Sequence, residues 1–256
     1  MVRHSITIIC LLLAAQAPAQ VPRNVMDWLS VAAGASDTDL TENLQHFWDF
    51  SGELSYDDQV GTNDFIGTRT TVSSEGLRIN RNIASAQWVE TAPIVNGTSY
   101  TYMTWLKTDT AMPYTTNYGY WWAGDGGSSS TTRDFQGFLS GDSVSFWVFN
   151  TSGTALKAIK TGLSWGAEEW HHVVGVVDSS AGEVRLYIDA TLAATTAITG
   201  TVRDLADKWF VIGGLSWDIG NLGGRYDGHI DKVRIYSGTQ DNLITPVYDT
   251  ENKDGH

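Results

Sequence analysis

Past residue 10 the sequence contains no cysteine, and the single one, Cys10, sits in an apolar stretch at the amino terminus. That excludes a disulfide framework, a redox Cys pair and a cysteine zinc site. Long hydrophobic runs are also missing. The run from Ile6 to Ala15 is shorter than the ~20 residues a spanning helix needs, and nothing later approaches it, so no membrane insertion is expected. Basic residues are few: 16 Lys and Arg face 29 Asp and Glu, a net charge of −13. A net negative charge of this size argues against nucleic acid or an anionic membrane as partner. Divalent cations and neutral ligands such as glycans remain compatible with it. Proline is scarce as well, five residues against 26 glycines.

What the chain does have begins with "MVRHSITIICLLLAAQAPA". A basic start at Arg3, an apolar middle and the small-x-small end Ala17-Pro18-Ala19 read as a secretory signal peptide over 1–19, cut near Ala19. Cys10 lies too far from that cut to be the first residue of a lipoprotein. The expected product is secreted, extracellular or periplasmic, and one unit more negative than the full chain because only Arg3 is removed. Residues 20–43 read as an N-terminal segment and polar linker, and 241–256 as a polar C-terminal tail.

Between them, residues 44–240 alternate at period two, the mark of half-buried strands. In "SYTYMTWLKT", Thr101, Met103 and Trp105 share one face, and Tyr100, Tyr102 and Leu106 the other. In "DSVSFWVFN", Val144, Phe146 and Val148 alternate with Ser145, Trp147 and Phe149, and in "GEVRLYIDA" Val184, Leu186 and Ile188 alternate with Arg185, Tyr187 and Asp189. Turn-forming clusters recur about every 8–12 residues, the spacing of a sandwich or barrel. With eleven tryptophans, ten tyrosines and no 20–50-residue repeat, the reading is one aromatic-rich all-β domain.

The most chemical-looking stretch is "EEWHHVVGVVD", residues 168–178. On a strand, successive side chains point to opposite faces, so His172 lies with Trp170, Val174 and Val176 and His171 with Val173 and Val177. The two imidazoles therefore do not chelate one ion together, and Glu168 and Glu169 mark the turn before the strand. No Gly-x-Ser-x-Gly elbow, His-Glu-x-x-His helix or phosphate-binding glycine loop is present. Strand-borne carboxylate pairs of the glycosidase kind are missing too; the nearest pattern, Asp37, Asp39 and Glu42, sits in the linker.

Four stretches carry a resemblance: "LQHFWDFSGELSYDDQVGTNDF", "YTYMTWLKTD", "EEWHHVVGVVDSSAGEVRLYIDATLAA" and "YDGHIDKVRIYS". Taken in order, they resemble the opening strand and loop, an inner strand, the central hairpin and the closing strand of concanavalin A-like, laminin G-like domains. The resemblance implies an antiparallel two-sheet jelly-roll sandwich. It departs at Ala190, where the family usually has Gly after Asp189, and after Tyr236, where "SGTQDNLIT" replaces the usual exit. The resemblance also implies a structural Ca²⁺ tying the opening loop to the closing strand, with Asp57, Asn63 and Asp231 at the matching positions and Asp58, Asp64 and Asp227 as substitutes. Alternation places Asp231 on the face of Val233 and Ile235, the expected core face, where a lone carboxylate is costly unless paired or metal-bound.

Sugar sites combine aromatic rings with polar side chains. Two stretches fit: "PYTTNYGYWWAGDGG", offering Tyr118, Tyr120 and Trp122, and "LSWDIGNLGGRYDG", offering Trp217, Asp218, Asn221, Arg225 and Tyr226. The expectation is a secreted, non-catalytic carbohydrate-binding or adhesion module that contacts a glycan or other extracellular surface component. The alternatives are a structural or protein-binding module without sugar affinity and a polysaccharide hydrolase or lyase.

Overall fold

The structure, a computed structural model, describes residues 39–51, 56–68, 70–80, 88–91, 94, 97–125, 133–204, 209–214 and 226–252. The expected signal peptide and most of the expected linker lie outside these residues. In chain order the strands are β1 (Leu44–Trp48), β2 (Ile66–Thr68), β3 (Thr71–Ser73), β4 (Gly76–Ile79), β5 (Trp88–Thr91), β6 (Tyr100–Thr108), β7 (Tyr114–Asp125) and β8 (Arg133–Gly141). They continue as β9 (Ser143–Phe149), β10 (Ala155–Lys160), β11 (Trp170–Asp178), β12 (Glu183–Ile188), β13 (Thr191–Ala197), β14 (Trp209–Ile212) and β15 (Gly228–Ser237), followed by helix α1 (Asp241–Asn252).

All pairings are antiparallel. One sheet has eight strands in the order β13-β12-β11-β6-β15-β4-β3, with β1 also paired to β15; the other has seven, in the order β10-β9-β8-β7-β14-β5-β2. The apolar halves of the alternating strands meet between them. Tyr100, Tyr102 and Leu106 from β6 and Val184 and Leu186 from β12 join Val144, Phe146 and Val148 from β9 in one buried cluster. Aromatic rings fill its centre: Trp48 lies 4.7 Å from Phe65, and Tyr102 lies 4.7 Å from Phe135. Gly175 is required here, because a Cβ on it would sit 2.7 Å from three ring atoms of Phe146.

Three boundaries and turns differ from the sequence reading. Leu40, assigned to the linker, is buried, and its carbonyl accepts the Tyr236 hydroxyl at 3.1 Å. The supposed polar tail is largely helix α1, whose Leu243, Ile244 and Val247 are buried. Those three positions recur at helical spacing, but Pro246 inside the segment disguises it. The β12–β13 turn keeps two residues despite lacking glycine: Asp189 and Ala190 both take left-handed backbone, φ 49° and 58°. Ala190 thus occupies a glycine seat in a turn of the primed type.

Candidate functional site

The "WHH" stretch comes first. His171 and His172 sit on opposite faces of β11, and each has a structural partner. The His171 ring lies 4.0 Å from Trp165 and 2.8 Å from the Asp189 carboxylate, which also accepts the His172 backbone N–H at 2.9 Å. The Asp189 side chain thus ties the hairpin turn back to its own neighbouring strand. His172 is buried beside Trp105, ring centroids 5.1 Å apart, and burial, aided by Arg234, lowers its pKa to about 3.

The layer over this part of the eight-stranded sheet is helix α1. Glu251, buried on the helix, holds Arg234 at 2.5 Å and accepts the Trp105 indole N–H, while Tyr248 stacks on Trp105 at 5.7 Å. At the helix start, Asp241 accepts from Arg185 at 2.9 Å and from the Tyr187 hydroxyl.

Further along the same face, Trp170, Lys107, His229 and Arg78 stand opposite one another across β11, β6, β15 and β4. The cations here are matched by acids: Lys107 lies 3.3 Å from Glu168 and 3.5 Å from Glu75, and Arg78 bonds Asp109 and lies 3.6 Å from Asp227. Burial, then the neighbouring Lys107 and Arg78, lowers the His229 pKa to about 4, which leaves the ring neutral in a mutually compensated network.

The carboxylates expected to hold calcium are not brought together as a set. Asp57 is exposed, whereas its neighbour Asp58 is buried and organises the opening loop. The Asp58 carboxylate accepts N–H groups of Phe47, Val60, Gly61 and Asn63 at 2.9–3.2 Å and meets His46 Nδ1 at 2.5 Å. Burial works against its charge, yet the bonds from His46, Gly61 and Asn63 hold its pKa below the usual range. The Asn63 carbonyl accepts the Trp48 indole at 3.0 Å, so that residue also serves the loop. No group of three or more His, Cys, Asp or Glu positioned for a metal occurs among the described residues.

Asp231 is buried as expected, but on a different row. It stands opposite Trp105, while Ile230 stands opposite Leu106. A β-bulge at Lys232, φ 48°, breaks the alternation that sequence reasoning extended from Val233. Its actual companion is Asp49: the Ser51 N–H lies 3.1 Å from Asp231 Oδ1 and 3.2 Å from Asp49 Oδ1. Burial, then Asp49, pushes the Asp231 pKa up to about 7. Two carboxylates converging on one N–H fit a shared proton or a cation. Asp231 has no exposed surface, so the pair cannot meet a polysaccharide as an acid/base couple.

The aromatic candidates divide. Trp217, Asp218, Asn221 and Arg225 lie outside the described residues. Tyr226 is a correction: it is fully buried, its hydroxyl donating to the Lys107 carbonyl at 3.1 Å, and it belongs to the core cluster instead of a ligand rim. Aromatic residues following a glycine-rich loop read as exposed, but here the chain has already re-entered the sandwich before β15. Tyr118, Tyr120 and Trp122 all lie on β7, at the middle of the seven-stranded sheet. Tyr120 holds the register position opposite Phe138, Trp122 stands opposite Gly137 and Ile212, and Tyr118 falls in the irregular stretch between Tyr114 and Gly119.

Next to β7 is a set that the sequence reading did not single out. On the outer face of β8, β9 and β10, Gln136, Trp147 and Lys157 stand side by side in register. Phe138 meets Trp147 edge-on at 4.8 Å, and the Lys157 ammonium lies over the Trp147 ring at 3.8 Å. Trp147 is half-buried, and its indole nitrogen is shielded from solvent without a hydrogen-bond partner. With the Gln136 amide turned so that its oxygen faces Arg133, that oxygen accepts from the guanidinium at 3.3 Å. The period-two pattern of "DSVSFWVFN" held the signal, since Trp147 is the large ring on its non-core side.

A family model described as the concanavalin A-like lectin/glucanases superfamily, Laminin_G_3, matches residues 55–241. No curated protein matches the chain. Among solved structures, the chain is similar to the botulinum neurotoxin serotype D binding domain, with a TM-score of 0.62 at 13% identity over 83% of this chain and 53% of that one. The serotype D ligand binding domain in complex with N-acetylneuraminic acid gives a TM-score of 0.62 at 12% identity, over 82% of this chain and 51% of that one. The chain thus spans about half the length of these toxin domains. Domain 4 of AbnA, a GH43 extracellular arabinanase from Geobacillus stearothermophilus in complex with arabinotriose, gives a TM-score of 0.55 at 18% identity, over 80% of this chain and 98% of that domain. At these identities the likeness is one of fold.

Proposed function

The chain belongs to the concanavalin A-like lectin/glucanases superfamily, and from that premise we propose that it is a non-catalytic carbohydrate-binding module whose ligand lies on the outer face of the seven-stranded sheet. The observation that carries this reading is Trp147, a half-buried ring backed edge-on by the buried Phe138, with the exposed Lys157 ammonium over its face. An aromatic face for a pyranose and flanking hydrogen-bonding groups are the two parts a sugar site needs. Tyr120 on β7 extends the same rows by register. The solved complexes with N-acetylneuraminic acid and arabinotriose support glycan binding as a use of this fold.

The test is a glycan array followed by titration calorimetry, with Trp147→Ala checked for folding by circular dichroism. Binding that Trp147→Ala abolishes in a folded protein supports the proposal. A silent array would favour the structural or protein-binding alternative, and release of reducing ends from a bound polysaccharide would favour a hydrolase.

We further propose export, from the signal-like residues 1–19; Gln20 as the first residue of the mature protein is the check. A divalent cation, calcium being the expected ion, is proposed at Asp49 and Asp231, because both carboxylates approach one N–H. Calcium should then raise the melting temperature by mass action, and Asp231→Asn should remove that rise.

A further inference from the structure

Resting on the reading above, we propose that the ligand of the Trp147 face is an acidic glycan, one whose sugars carry a carboxylate or a sulfate. Charge accounting across the molecule supports it. In a chain of net charge −13, four described cations are held by acids: Arg78 by Asp109 and Asp227, Lys107 by Glu75 and Glu168, Arg185 by Asp178, Glu183 and Asp241, and Arg234 by Glu251. Lys157 is different. It is exposed, no carboxylate lies within ion-pair distance of it, and its ammonium rests on the face of Trp147 at 3.8 Å. Lys160 on the same strand is likewise exposed without an acid partner.

Lysine on an edge strand also guards against edge-to-edge pairing, and β10 is an edge of its sheet. That role needs no aromatic partner. The position of Lys157 over the half-exposed Trp147 ring calls for a ligand that uses both. An acidic sugar does so by exchange. Its apolar C–H face takes the ring, and the ammonium swings from the ring to the carboxylate or sulfate. A cation resting on an exposed ring is held more weakly than one bonded to an anionic oxygen, so the exchange runs toward the ligand. A neutral sugar gives Lys157 no charge to leave the ring for.

The experiment uses the mature chain on an array holding acidic and neutral glycans, including oligogalacturonates with their neutral methyl esters and sulfated galactans with their desulfated forms. The proposal expects the acidic member of a pair to bind at least tenfold more tightly, with affinity falling as salt rises. Lys157→Gln should reduce acidic binding about tenfold, the loss of one charge-assisted bond, and Lys157→Arg should retain most of it. Preference for the uronate pair or for the sulfated pair identifies which acid is read. Binding confined to neutral glycans overturns this inference and leaves the carbohydrate-binding reading standing. Acidic binding unchanged in Lys157→Gln also overturns it. No binding to any glycan overturns both.

Discussion

Replacing His172 with phenylalanine should flatten the acid sensitivity of the domain. The imidazole is fully buried beside Trp105 and beneath α1, and neither ring nitrogen has a hydrogen-bond partner. Burial, with Arg234 nearby, lowers its pKa from 6.5 to about 3. In the unfolded chain the same ring takes up a proton near pH 6.5. Between these two values the unfolded state binds more protons, so the stability His172 allows is fully present above pH 6.5 and is lost as pH falls toward 3. Each pKa unit is worth about 1.4 kcal/mol, so moving from pH 7.5 to 4.5 should cost the native protein about 3 kcal/mol through this group alone. Other groups titrate in the same window. His229, lowered to about 4, acts in the same direction, and Asp231, raised to about 7, acts in the opposite one. Both are common to the two proteins and cancel in the difference between them. Urea unfolding of native protein and His172→Phe at pH 7.5, 6.0 and 4.5 measures that difference. Its growth by about 3 kcal/mol on acidification supports the argument; a difference constant across the three pH values refutes it, because the ring would then be titrating as it does in water.

Other parts of the fold give equally direct tests. Ala190→Gly should raise stability by about 1 kcal/mol, since alanine at φ 58° carries the left-handed penalty that glycine avoids; a thermal shift upward of ~2–4 °C is the readout. Glu251→Ala leaves Arg234 buried without its counter-charge and should cost ~3–5 kcal/mol in urea unfolding. Glu251→Gln, which keeps an acceptor for the Trp105 indole, should cost less. Gly175→Ala should cost ~1–3 kcal/mol, because the new Cβ meets the Phe146 ring at 2.7 Å across the two sheets.

The strands were legible because each carries period-two alternation whose apolar half is the core. The tyrosine face of β6 and the valine face of β9 are inward as the pattern requires. Legibility failed where local backbone departs from that period. The bulge at Lys232 put Asp231 on the Trp105 row, and no residue in "HIDKVRIYS" announces it, since lysine is an unusual occupant of φ 48°. Pro246 hid a helix whose buried apolar residues are only three. In the opening loop, adjacent aspartates could not be told apart by composition: Asp58 turned inward to collect backbone N–H groups, while Asp57 stayed in water. The ligand face was legible in part. Aromatic density drew attention to β7, but Trp147 gains its interest only from Lys157 and Gln136 beside it, and those neighbours come from two other strands.

Among the described residues the two outer faces of the sandwich are finished differently, and this asymmetry supports the proposed binding surface. Over the eight-stranded sheet, Glu251 answers Arg234 and Trp105, Asp241 answers Arg185 and Tyr187, and Lys107 lies between two glutamates. Helix α1 covers one part of that face and opposite charges compensate one another on the next. A ligand arriving there must break existing bonds between the protein's own groups before making new ones, and an ion pair broken on one side leaves a charge behind. On the seven-stranded sheet Lys157 and Trp147 offer an exposed ammonium that rests on a half-exposed ring. New bonds there are additional, so the same contact yields more net affinity. Loss of binding in a folded Trp147→Ala protein, with no comparable loss in Trp170→Ala on the opposite face, is the outcome this asymmetry requires. The reverse result would move the site to the charged end of the eight-stranded sheet.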